Sequence, residues 1–203
     1  MKRYRTAVLG LVVAAGLTGC SGTKNTTADT DTSAPAVQYE VASGEEEYQA
    51  YVDMNMVLQT ISMNGQPFAF PTALSGIGTG LYCNEWNTVE TDGKLFYRGT
   101  LTDGAAVRTG VEMYKANPAD EGMVYEIQVF ADGGIPLSVN GITFGASYNQ
   151  VVAAFGEPSS VNGNQNGRQN IYYENCSAEL LAFTLENGAV SSIIIRYLPP
   201  ELR

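Results

Sequence analysis

Three cysteines, 21 carboxylates and no histidine bound the chemistry open to this 203-residue chain. The thiols are Cys20, Cys83 and Cys176. None can join a Cys-His dyad, and the commonest general base and zinc ligand are missing with histidine. Catalysis would fall to carboxylates, Lys or Tyr. No carboxylate pair stands out: Glu85, Glu90, Glu126, Glu157, Glu174, Glu179 and Glu186 are scattered at turns and on polar strand faces, where solvation accounts for them. The run "GIGTGL" over 76–81 lacks the spacing of a dinucleotide fingerprint and reads as turn glycines. "NGNQNGR" over 162–168 offers side-chain oxygens but no carboxylate, a poor calcium loop. The expectation is a non-enzyme without metal or cofactor.

Cys20 has a distinctive setting. "MKRYR" is a basic start, and residues 6–19 are an apolar run of fourteen, short for a permanent span. The run ends in Leu17-Thr18-Gly19-Cys20, small residues beside a cysteine. This resembles the bacterial lipoprotein signal. The resemblance implies a signal peptide over 1–19, a diacylglycerol on the Cys20 thiol and cleavage before Cys20. Two acyl chains give stable attachment where one is marginal. The chain would then lie outside the cytoplasm, on the outer leaflet of the cell membrane or on an outer membrane, according to the envelope. Residues 20–47, rich in Ser, Thr, Ala, Asp and Glu, cannot offset their ordering entropy and read as a tether. About 25 such residues reach roughly 25–30 Å.

Without the signal, eight basic residues face 21 acidic ones, a net charge of −13. Such a surface repels phosphate backbones, so no nucleic-acid partner is expected.

The remaining chain reads as helix-and-meander twice over. "ISMNGQPF" (61–68) and "LSVNGITF" (137–144) recur at an offset of 76, and five of twenty residues match over 61–80 against 137–156. In the second copy Ser147 and Gln150 have capping-box spacing. Tyr148, Val151, Val152 and Phe155 share a helical face, and Gly156 and Pro158 end the helix. Strands follow over 171–173, 180–186 and 190–197, the last two joined by Asn187-Gly188. In the first copy 52–58 alternates like a strand, 72–79 is a helix weakened by Gly76 and Gly78, and strands cover 94–101, 106–114 and 123–130. The expected class is α+β: two tandem units, 48–136 and 137–203, each a short helical segment packed on an antiparallel meander.

"GITFGASYNQVVAAFGEPSSV", "IYYE" and "LLAFTLENGAVSSIIIRY" resemble the small lipoproteins of beta-lactamase-inhibitor-protein-like fold, including the SmpA/OmlA group. The resemblance covers about 137–198 and reaches 50–136 only through the repeat. It implies tandem units whose sheets make a concave binding surface, and no reaction centre. The leading expectation is a non-catalytic, membrane-anchored module that binds a protein. The alternatives are an envelope-assembly accessory, a cell-wall carbohydrate-binding module and a carboxylate-based wall hydrolase. The candidate binding aromatics are Tyr82, Trp86, Tyr97 and Tyr172, which serve equally well as strand and core residues. Cys83 and Cys176, in an exported domain, either form a disulfide or stand as two thiols.

Overall fold

A computed structural model describes residues 51–163 and 166–203. The signal segment, Cys20 and the tether lie outside the described residues. In chain order the elements are helix α1 (Met54–Gln59); strands β1 (Ile61–Met63), β2 (Gln66–Pro67) and β3 (Thr72–Ala73); a 3-10 turn (Leu74–Ile77); strands β4 (Asn87–Thr91), β5 (Lys94–Thr102), β6 (Arg108–Lys115), β7 (Met123–Phe130) and β8 (Leu137–Val139); helix α2 (Tyr148–Phe155); strands β9 (Ser160–Gly163), β10 (Arg168–Cys176), β11 (Glu179–Glu186) and β12 (Ala189–Tyr197); and a last 3-10 turn (Pro200–Leu202). The class is α+β, mainly antiparallel β.

Turn chemistry sets this order. Asn64-Gly65, Asp92-Gly93, Asn140-Gly141 and Asn187-Gly188 all have positive φ at both residues, between 48° and 83°. That is the type I′ turn, whose twist matches that of paired strands. The large sheet runs β4-β5-β6-β7-β12-β11-β10-β9, with β3 added against the start of β7. Two meanders, β4 to β7 and β9 to β12, thus meet antiparallel at β7 and β12. A small sheet, β2-β1-β8, joins the halves again: Ser62 pairs with Ser138, flanked by Ile61 with Val139 and Met63 with Leu137. Asn175 pins the first described residues, accepting from the backbone N–H of Tyr51 (2.8 Å) and Val52 (3.2 Å) and donating to the Val52 carbonyl (2.8 Å).

Helix α2 forms as its sequence dictates. Ser147 and Gln150 make the reciprocal capping box, and Gly156 ends the helix at φ 79°. The Tyr173 hydroxyl donates to the Gly156 carbonyl (2.8 Å), tying the helix end to β10. Val151 points inward and is fully buried, which contributes about 1.5–3 kcal/mol.

The first half departs from expectation in two places. Residues 54–59 are helical, not a strand: the Asp53 carboxylate accepts from the N–H of Asn55 (2.9 Å) and Met56 (3.4 Å), a cap that starts α1. Met54 and Val57, three apart, go to the core, while Met56, the residue that made the alternation look strand-like, is 64% exposed. Beyond Pro71 the expected helix is reduced to β3 and a 3-10 turn. There Gly76 packs so closely on Thr72 that a Cβ would stand 2.2 Å from its Oγ1. The short polar edge strands β4 and β9 lack the apolar alternation that marks a strand in sequence.

The core lies on one face of the large sheet. One inward row is Leu101, Thr109, Val129, Ile193, Phe183 and Ile171, in register across six strands. The next is Gly99, Val111, Ile127, Ile195, Leu181 and Tyr173. Met54 and Val57 of α1, Val151 of α2, and Ile61, Met63, Leu137 and Val139 of the small sheet all join the same buried cluster. Gly99 is the position without a side chain in these rows, because Cys83 and Trp86 occupy that volume. A Cβ there would meet Cys83 Sγ at 2.5 Å and the Trp86 ring at 2.8 Å. Gly99→Ala is expected to destabilise by about 1–3 kcal/mol through overpacking. Urea unfolding checks this, and an unchanged midpoint would refute the contact.

Candidate functional site: the open face of the sheet

The other face of the large sheet presents two rows of side chains. The first, from β10 to β5, is Tyr172, Ala182, Ile194, Gln128, Gly110 and Thr100. The second, from β11 to β5, is Leu180, Arg196, Glu126, Glu112 and Arg98. Tyr125, Leu180 and Ala182 are buried yet stand apart from the core cluster, as expected for small or shaded residues of a second face. Phe96 packs on Tyr114 and Tyr125 with ring centroids 5.7 and 5.8 Å apart, an aromatic patch beside the charged row.

The charged row alternates in sign outward from its centre. Arg196 pairs with Glu126 and Arg98 with Glu112, while the two glutamates oppose each other across β6 and β7. A bulge at this point lets Tyr125 share the face, and its hydroxyl donates to Glu112 Oε2 (2.8 Å). Both carboxylates are well buried; Arg98 is mostly exposed. Burial raises the Glu126 carboxyl above the usual carboxylate range; Arg196 opposes the shift and the Glu112 charge adds to it. Burial, then the Glu112 charge, pushes the Tyr125 phenol up, so it remains a donor. The Arg196 guanidinium, disfavoured by burial, is held charged by Glu126 and Glu112, and also donates to the Ser177 carbonyl (3.3 Å).

No family model, curated protein or solved structure matches the chain. Function is therefore argued from the geometry of this face and from the sequence.

The aromatics singled out from the sequence do not form one surface. Trp86 and Tyr97 lie on the core side of β5, partly buried against the main cluster, with Lys115 5.3 Å above the Tyr97 ring. Tyr82 is exposed and bridges to Thr102 at the end of β5. Tyr172 stands on the open face, opposite Ala182. From β5 to β10 is five strand spacings, roughly 24 Å. The same separation divides the cysteines. Cys83 packs over Gly99 of β5 and donates to the Glu85 carbonyl (2.9 Å), Cys176 ends β10, and both are free thiols. A disulfide needs Cα atoms within about 7 Å, so of the two alternatives for Cys83 and Cys176 the fold has the two separate thiols.

Sequence alone does not single out the pair Glu112 and Glu126: they lie on separate strands, and only the pairing of β6 with β7 sets them opposite each other. A raised carboxyl beside a second one is a pattern used in acid–base catalysis. Here each carboxylate is already engaged by an arginine, Glu112 by Arg98 and Glu126 by Arg196, so neither is left free to face a substrate. The cleft of about 370 Å³ lined by Leu74, Ser75, Leu81, Leu101 and Glu121 includes neither of them. Among the described residues no cluster of Cys, Asp or Glu could hold a metal ion, and no helix is long and apolar enough to cross a membrane.

Proposed function

We propose that this chain is a lipid-anchored, extracytoplasmic protein-binding module, built from two copies of one helix-and-meander unit, that grips its partner with the open sheet face. The observation that carries the reading is the division of the large sheet: helices and small sheet on one side, and on the other two in-register rows that pair apolar side chains with fixed charges. Aromatic and aliphatic anchors beside pre-positioned arginines are what protein interfaces use. Paired charges on a rigid sheet lose little entropy when a partner docks.

The mirrored strand order and the self-pairing of β1 with β8 about Ser62 and Ser138 support the tandem reading. So do the matching turns, with Asn64 at φ 52° and Asn140 at φ 48°. Both fit the beta-lactamase-inhibitor-protein-like resemblance of residues 137–198. The membrane anchor rests on the setting of Cys20.

The test is site-specific photo-cross-linking in living cells. A photoreactive residue at Ile194, on the open face, is expected to give a discrete cross-linked protein; one at the exposed Asn149, on α2, is expected to give none. Equal products at both positions, or none at either, would refute the reading. A product shifted by glycan hydrolases and free of a second protein would favour binding of wall carbohydrate.

A further inference from the structure

Among the described residues no strand pairs with the outer side of β4, which ends the large sheet. All but one of its residues are exposed, and Val89 is 58% exposed. Natural edge strands are guarded by charge, above all lysine, and by proline, bulges, shortness or cover. The sequence Asn87-Thr88-Val89-Glu90-Thr91 has one charge, Glu90, but no lysine or proline, and its pairing with β5 runs without a shift. The opposite edge, β9, is shorter, follows Pro158 and ends in Gly163.

The hairpin fixes which backbone groups face outward. Asp92-Gly93 is a two-residue turn closed by the pair Thr91 with Lys94. Residues flanking such a turn exchange both hydrogen bonds, and bonded and non-bonded pairs alternate from there. Val89 therefore bonds back to Phe96, while Thr88 and Glu90 aim their N–H and C=O groups away from β5. Val89 also ends an apolar row on the open face, Tyr114, Phe96 and Val89 in register.

We propose that this edge is completed by β4 of a second copy, antiparallel about Val89. The strand is its own complement. Thr88 meets Glu90 of the partner and Glu90 meets its Thr88, giving four hydrogen bonds with no like charges opposed. Val89 meets Val89 as a non-bonded pair, with Cα atoms about 4.5 Å apart, and the apolar row continues into the second copy. This goes beyond binding through the sheet face and does not depend on it.

The test uses the full chain in cell membranes, with Cys83 and Cys176 replaced by Ser and Cys20 kept. A 4.5 Å separation suits a disulfide, so Val89→Cys under mild oxidation is expected to run at twice the monomer mass. Thr88→Cys, displaced from its own counterpart by two residues along each strand, is expected to stay monomeric. Adding Thr88→Pro to Val89→Cys removes one outward donor, which a free edge tolerates. The cross-link should fall while circular dichroism is unchanged. No dimer with Val89→Cys, equal dimer with Thr88→Cys, a cross-link indifferent to Thr88→Pro, or a product joined to another polypeptide would each overturn the proposal.

Discussion

Replacing Arg196 by Ala is expected to lower the unfolding free energy by about 3 kcal/mol at neutral pH, the low end for removing one partner of a buried ion pair. The low end applies because the Arg196 side chain keeps 26% of its surface exposed, against 14% for Glu126. Without the guanidinium, the Glu126 carboxylate sits buried opposite Glu112. Burial already raises its pKa and Arg196 opposes that shift, so the variant raises it further. A carboxyl whose folded pKa exceeds its unfolded value contributes stability below the unfolded pKa, about 4.3, and loses it as pH rises through the folded pKa. The deficit of Arg196→Ala is therefore largest at neutral pH and shrinks on acidification. Adding Glu126→Gln, which removes the charge, should restore most of the loss at neutral pH. Urea unfolding at neutral pH and at about pH 5 decides. Equal deficits at both would mean that Arg196 acts through its packed stem alone.

The charged row shows where sequence reading ends. Arg98, Glu112, Glu126 and Arg196 span almost a hundred positions, and only register brings them onto one face. A bulge between β6 and β7 sets that register, and shifts every residue beyond it by one. Nothing in "VEMYK" or "MVYEIQVF" announces the bulge. The local devices, by contrast, were legible. Ser147 and Gln150 bracket α2 because their partners are three residues apart, and Asn187-Gly188 makes a hairpin because both positions accept positive φ. At α1 the sequence misleads, because Val52, Met54, Met56 and Leu58 alternate as in a strand, whereas the Asp53 cap and the burial of Met54 and Val57 make a helix. For Cys83 and Cys176, sequence gives the number of thiols but not the five strand spacings that separate them.

The two faces of the sheet divide labour for a packing reason. A meander of four strands cannot bury both its faces with one short helix. Two meanders joined at β7 and β12 share one core, closed by α1, α2 and the small sheet. The face that no described element covers satisfies itself by pairing Arg with Glu and by shading Ala182 between Tyr172 and Ile194 on the flanking strands. Under the proposed binding reading, side chains already held by one another on this face would keep the ordering cost of docking low.

Cys20→Ala is expected to abolish incorporation of labelled fatty acid, an all-or-none effect. Of the three thiols, Cys83 packs against Gly99 and Trp86, and Cys176 closes β10 beside Glu179. Both are partly buried in the folded domain, where an acyl chain would displace packed neighbours. Cys20 is separated from that domain by a polar stretch of sequence and follows the small residues Thr18 and Gly19. Each methylene inserted in a bilayer contributes about 0.8 kcal/mol, so under the proposed anchoring the loss of both acyl chains would remove far more binding energy than any surface substitution could restore. The described residues begin at Tyr51, some thirty positions later, so circular dichroism of that domain should be unchanged. Label persisting in Cys20→Ala would move the modification to Cys83 or Cys176, and the unmodified packing of those two thiols would then be wrong. Absence of label from the natural chain would remove the anchor, and with it the reason for placing the open face outside the cytoplasm.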